Sequence, residues 1–180
     1  MVCLFLADAF EIIEAMAPLD MLTRAGIDVK TVGVTGKTVT ASCGVPITAD
    51  ITAEEFVFEN IEAVILPGGM PGTLNLENSQ VVQQAIDKAV AAALPVCAIC
   101  AAPSVLGHKG LLEGKKATAF PGFEEALYGA ELAEEYVVTD GNFITARGAG
   151  VCIEFGLAIV KRLKDEATAE AIRRSIQCAC

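Results

Sequence analysis

Short apolar runs alternate along this chain with stretches in which apolar residues recur every three or four positions. Val2 to Leu6 reads as a buried strand. Glu11 to Ala25 has helical spacing, with Ile12, Met16, Leu19 and Leu22 or Thr23 on adjacent turns and Gly26 as a stop signal. Asp28 to Val34 is the next strand, so the chain opens as β-α-β. A Gly36-Lys37 turn then leads into Thr38 to Ala41, which pairs with Val45 to Thr48 as a small hairpin. Glu62 to Leu66 is the following core strand, and it ends in Pro67-Gly68-Gly69-Met70-Pro71-Gly72, a loop whose backbone can approach something closely.

Ser79 to Ala92 is an alanine-rich helix, and Leu94 to Ile99 another buried strand. Lys115 to Phe120 reads as a strand as well, while the acidic stretch Glu124 to Glu135 matches no period. Tyr136 to Thr139 and Phe143 to Ala146 flank an Asp-Gly turn and form a hairpin. Gly148-Ala149-Gly150 opens a helix to about Leu163, and a last helix spans about Ala167 to Ile176. Strands alternating with helices define the α/β class, with a mostly parallel sheet covered on both faces.

The junction after Ile99 carries the first candidate chemistry. The strand stops at Cys100, and Ala101, Ala102 and Pro103 then open a helix. Unpaired N–H groups and the helix dipole favour an anion at such a turn, so the thiol is expected to ionise more readily than a free cysteine. Small neighbours suit the sharp turn of a nucleophile elbow. The alternative is that Cys100 is one more buried small hydrophobe. The Pro67–Gly72 loop falls at the same edge, the carboxyl ends of parallel strands, where ligands sit in open sheets.

A length of 180 residues fits one domain spanning 1–180, and the 53% hydrophobic content supplies a full core. A formal charge of −10 argues against nucleic acid and anionic membranes as partners. The apolar start is too short to cross a bilayer and lacks a basic flank, so it reads as the first strand of a cytoplasmic protein. Seven cysteines, an odd number in mostly apolar contexts, fit reduced thiols.

A cysteine nucleophile needs a proton partner. Glu14 sits on an otherwise apolar face near the start of the first helix, where desolvation would let its carboxyl hold a proton; the alternative is a charge decorating the helix dipole. His108 lies about 12 Å from Cys100 by helical rise, too far to serve it. Cys97 belongs to the strand, which weakens a Cys97/Cys100 dithiol, and Cys178 with Cys180 lacks the ligands of a metal site. The glycine pairs match no dinucleotide or phosphate loop.

Together, Glu14, Leu66-Pro67-Gly68-Gly69, Ala98-Ile99-Cys100-Ala101-Ala102-Pro103 and Arg147-Gly148-Ala149-Gly150 resemble the ThiJ/PfpI superfamily almost end to end. Within it they are closest to the branch of the Parkinson's-disease-associated deglycase and its bacterial YajL-type relatives. The resemblance implies a flavodoxin-like three-layer α/β sandwich, a homodimer, and no cofactor or metal. It makes Cys100 the nucleophile, Glu14 a protonated carboxyl hydrogen-bonded to the thiolate, and the N–H groups of Gly69 and Ala101 an oxyanion hole. Gly68 and Arg24 are the substrate-binding candidates, Arg24 by matching a family arginine near the dimer interface.

The implied activities are a glutathione-independent glyoxalase acting on methylglyoxal, a deglycase acting on early glycation adducts, and a redox-responsive chaperone with an oxidised cysteine, all within oxidative and carbonyl stress. The chain departs from the human-type pattern at Phe120, where that branch has a histidine, and around Cys43-Gly44, where it has an arginine. Ala101 replaces the histidine of the protease-like branch, which argues against peptidase activity.

Overall fold

A computed structural model describes residues 1–178. The first strand, β1 (Val2–Leu6), is apolar at every position because both of its faces are covered. Val2, Leu4 and Leu6 pack into one hydrophobic cluster and Cys3 and Phe5 into the other, as the two-residue period of a strand requires. Helix α1 (Ile12–Arg24) and strands β2 (Val29–Gly33), β3 (Thr38–Thr40), β4 (Pro46–Thr48), β5 (Ile51–Thr52) and β6 (Ala63–Leu66) follow. Next come α2 (Gly72–Glu77), α3 (Gln80–Ala91), β7 (Val96–Ile99), α4 (Pro103–His108), β8 (Lys116–Ala117) and β9 (Glu131–Leu132). The described chain closes with β10 (Val137–Asp140), β11 (Phe143–Ala146), α5 (Cys152–Leu163) and α6 (Glu166–Ser175).

Seven strands form one sheet in the order β10-β11-β7-β6-β1-β2-β5, all parallel except the β10–β11 hairpin. Leu22, Phe155, Ile159 and Ile172 carry α1, α5 and α6 onto one face. Leu76, Val82, Ile86 and Leu106 carry α2, α3 and α4 onto the other. The result is a flavodoxin-like three-layer α/β sandwich. Helices α1 and α5 come close because Gly156 presents no side chain: a Cβ there would stand 2.9 Å from Met21 Cγ and from Pro18 Cα.

The expected strand over Lys115 to Phe120 contracts to Lys116–Ala117. The reason lies in its hydrogen bonds: the Thr118 N–H donates to Thr145 Oγ1 and the Phe120 N–H to the Cys100 carbonyl, so the segment runs beside the sheet edge. The acidic stretch after it holds a 3-10 turn, Glu124–Ala126, and β9, which pairs with β8. Among the described residues no helix is long and apolar enough to cross a membrane, and no group of three or more His, Cys, Asp or Glu side chains could hold a metal ion. Of the C-terminal cysteines weighed as ligands, Cys180 lies outside the described residues; the Cys178 thiol donates to Glu154 Oε1 at 3.7 Å.

Candidate active site

Parallel strands deliver their following loops to one edge of the sheet, and four such loops meet there. Ala7 to Glu11 follows β1, Pro67 to Pro71 follows β6, Cys100 to Ala102 follows β7, and Arg147 to Gly148 follows β11. The chain reverses at Cys100 with φ +65°, and α4 begins three residues later at Pro103. Its N–H is anchored to the Ala146 carbonyl at 2.9 Å and its carbonyl accepts from Phe120 at 2.8 Å. The thiol is therefore fixed from both neighbouring segments.

Glu14 lies in the first turn of α1 and is completely buried. Its Oε2 accepts the Gly68 N–H at 2.9 Å, while Oε1 is buried with no hydrogen-bond partner among the described residues. The Ala149 N–H also favours its charged form. Burial outweighs these donors and pushes the carboxyl from 4.5 up to about 7.

Gly68 must be glycine for this contact, since a Cβ there would stand 2.6 Å from Glu14 Oε2 and 2.7 Å from Cys100 Cβ. Gly69 has φ +93° and would place a Cβ 2.5 Å from the Ala9 carbonyl oxygen, so the two glycines let the loop pass between α1 and the elbow.

The backbone N–H groups of Ala101 and Gly69 point at the Cys100 sulfur and favour the thiolate. They do not produce the acidic thiol that the strand-to-helix junction predicts. Burial pushes Cys100 up to about 12, and the charge of Glu14 and its contact with the thiol act in the same direction. The missing factor in the sequence argument is the carboxyl, which repels a thiolate as long as it is ionised. When Glu14 is neutral that repulsion vanishes, and its carboxyl proton is a donor for the sulfur. The two groups thus titrate as a pair.

The structure brings Cys100, Glu14, Gly68, Gly69 and Ala101 together. Gly68, a substrate-binding candidate, lies beside the thiol with its N–H donating to Glu14 Oε2. Arg24 is not brought to this site: it ends α1, about 15 Å by helical rise from Glu14, and pairs with Asp20 at 2.8 Å. His108 ends α4 and pairs with Glu77 at 2.6 Å, away from the sulfur as its position in the sequence implies. Cys97 is a buried strand residue whose thiol burial strongly raises.

Sequence reasoning missed the support behind Glu14. The Ala149 N–H belongs to a 3-10 turn, Ala149–Val151, whose Ala149 carbonyl accepts from the Cys152 thiol at 2.9 Å. A backbone donor leaves no side-chain signature, and only the Gly148-Ala149-Gly150 run marks the place.

A family model described as DJ-1/PfpI family matches residues 1–162. The chain is 39% identical over 160 residues to protein DJ-1 homolog B of Arabidopsis thaliana, a match covering 87% of this chain and 36% of that protein. It thus spans little more than a third of that relative's length. A protein of Pyrococcus horikoshii named a deglycase is 31% identical over 160 residues, 88% of this chain and 96% of its own. Among solved structures, oxidized DJ-1 of Toxoplasma gondii superimposes with a TM-score of 0.95 at 31% identity, covering 99% of this chain and 98% of that one.

Proposed function

We propose that this chain, which belongs to the DJ-1/PfpI family, is a cysteine-dependent, cofactor-independent enzyme acting on methylglyoxal or on early glycation adducts, a glyoxalase or deglycase of carbonyl stress. The observation that carries this reading is a fully buried carboxyl, Glu14, set against a half-buried thiol at which two backbone N–H groups are aimed. In the one-proton form of the pair, the proton rests chiefly on the Cys100 sulfur, and ionised Glu14 takes it as the sulfur attacks.

With methylglyoxal, a C–S bond forms at the aldehyde carbon and its oxygen takes the proton that Glu14 accepted from the thiol, giving a hemithioacetal and leaving Glu14 ionised. The N–H groups of Ala101 and Gly69 stabilise the developing oxyanion. Glu14 then removes the proton from the aldehyde-derived carbon and returns one to the former ketone carbon, which leaves a thioester of a 2-hydroxy acid. Water cleaves the thioester, releasing lactate and the Cys100 thiol. The net change is addition of one water, and no redox partner takes part. A glycation adduct would be attacked in the same way at its masked carbonyl, with the amine as leaving group.

Methylglyoxal consumption with lactate readout, without glutathione or metal, tests the reading. Wild type is active, Cys100→Ala is inactive, and Glu14→Gln falls by about 10²-fold or more. An active Cys100→Ala protein overturns it.

The same donors favour a second reading, a redox-responsive chaperone in which two peroxide equivalents convert Cys100 to a sulfinate held by Glu14 and the N–H groups. Cys100 is half-buried, Cys3, Cys97 and Cys152 are buried and Cys43 is exposed, so preference for Cys100 over Cys43 rests on the N–H groups and carboxyl beside it. Intact and peptide mass spectra after mild peroxide would then show two oxygens added at Cys100 first. Absence of lactate from freshly reduced wild type would leave this reading in place of the first.

A further inference from the structure

One wall of the site is apolar and extends well beyond the reacting atoms. Phe120, Pro121, Tyr136, Arg147, Ala149 and Val151 line an open cavity of about 420 Å³ that also borders Gly148. The cavity adjoins the nucleophile at Gly148: a Cβ built there would lie 3.1 Å from Phe120 Cδ2 and 3.9 Å from Cys100 Sγ. The bare α-carbon of Gly148 thus leaves the sulfur and the Phe120 ring in a common space.

The Phe120 backbone is tied to the elbow, where its N–H donates to the Cys100 carbonyl at 2.8 Å. Tyr136 lines the same cavity, with the Arg147 guanidinium 5.4 Å from its ring centroid. Both aromatic side chains are exposed, 47% for Phe120 and 62% for Tyr136. Arg147 Nε is buried and has no hydrogen-bond partner among the described residues, so one donor at this wall is unused.

Methylglyoxal leaves such a cavity nearly empty, since the group beyond its ketone is a single methyl. Sites of this volume hold ring-sized apolar groups. We propose that the cavity is the substituent pocket of the site and takes an aromatic or branched apolar group carried by the electrophile that Cys100 attacks. On the reading above, which this inference deepens, that electrophile is a 2-oxoaldehyde, and the protein favours aryl or branched-alkyl 2-oxoaldehydes over methylglyoxal. The bonds made and broken are those already given, and the product is the 2-hydroxy acid bearing the same substituent. The aromatic ring of the substrate displaces water from Phe120 and Tyr136, and that burial supplies the preference.

Two measurements test this separately from the glyoxalase reading. The first compares initial kcat/KM for phenylglyoxal and methylglyoxal; the expected ratio is about tenfold or more, falling severalfold in Phe120→Asn. The second needs no turnover: rates of Cys100 alkylation by N-benzyl iodoacetamide and by iodoacetamide, each divided by its rate with glutathione and placed at Cys100 by peptide mass spectrometry. The benzyl reagent should be favoured about tenfold in wild type and not in Phe120→Asn. Benzyl preference without turnover of either aldehyde upholds the pocket and removes the glyoxalase reading. Turnover without preference for phenylglyoxal overturns the inference and leaves that reading standing. No preference in either measurement, as when a second copy of the chain covers the cavity, also overturns it.

Discussion

Cys100 and Glu14 hold their protons jointly, and this gives the site a pH signature. Below about 7 both are protonated, and between about 7 and about 12 the pair keeps one proton. The nucleophile is formed only in the one-proton state, so kcat/KM should rise with pH through about 7, and Glu14→Gln should abolish that rising limb. The same shift acts on stability. The folded protein holds the Glu14 proton up to about 7 while the unfolded chain releases it near 4.5, so the folded state binds more protons between these values and loses stability as pH rises through them. The loss is at most roughly 3 kcal/mol. Thermal unfolding from pH 4.5 to 8 should therefore show Glu14→Gln gaining on wild type as pH increases. Cys100 and Glu14 were legible in the sequence because one lies at an apolar-to-small junction and the other interrupts an apolar helix face. Their shared titration was not legible, since it depends on a contact between residues far apart in the chain.

At the scale of elements, two glycines separate the site from its support. Gly68→Ala forces a methyl against Glu14 Oε2 and Cys100 Cβ, and should lower kcat/KM by about 10²-fold through misplacement of the pair. Gly156→Val wedges α1 from α5 against Met21 and Pro18. Overpacking of this kind costs about 1–3 kcal/mol, read as a lower urea midpoint. The helices and core strands were readable because a periodic apolar face is a local property of sequence. Helix α2 and strand β5 were not: Gly72–Glu77 is held by Leu76 in the core, and Ile51–Thr52 by pairing with β2. Both depend on partners distant in the chain, and no local signal announces them. The acidic stretch before β10 resisted assignment for the same reason.

For the whole molecule, the homodimer expected from the sequence is open to test at the exposed apolar residues near the start of α1. The Ser42 hydroxyl donates to Glu11 Oε2 and the Ser42 N–H to the Phe10 carbonyl, so the β3–β4 hairpin rests on the entry to α1. Ile13 and Val45, both exposed and apolar, are borne on these segments. Light scattering should give the mass of two chains for wild type and of one for Val45→Asp; an unchanged mass would exclude this face.

The φ of +65° at Cys100 reaches further than the geometry of attack. A side chain in the left-handed region costs on the order of 1 kcal/mol, which glycine escapes. Elsewhere alanine outlasts glycine, yet here Cys100→Gly should melt above Cys100→Ala. The inert glycine protein thereby sheds a cost that the working protein carries. Selection for thermal tolerance alone would favour glycine at this position, so Cys100 is held there by its chemistry against the preference of its own backbone.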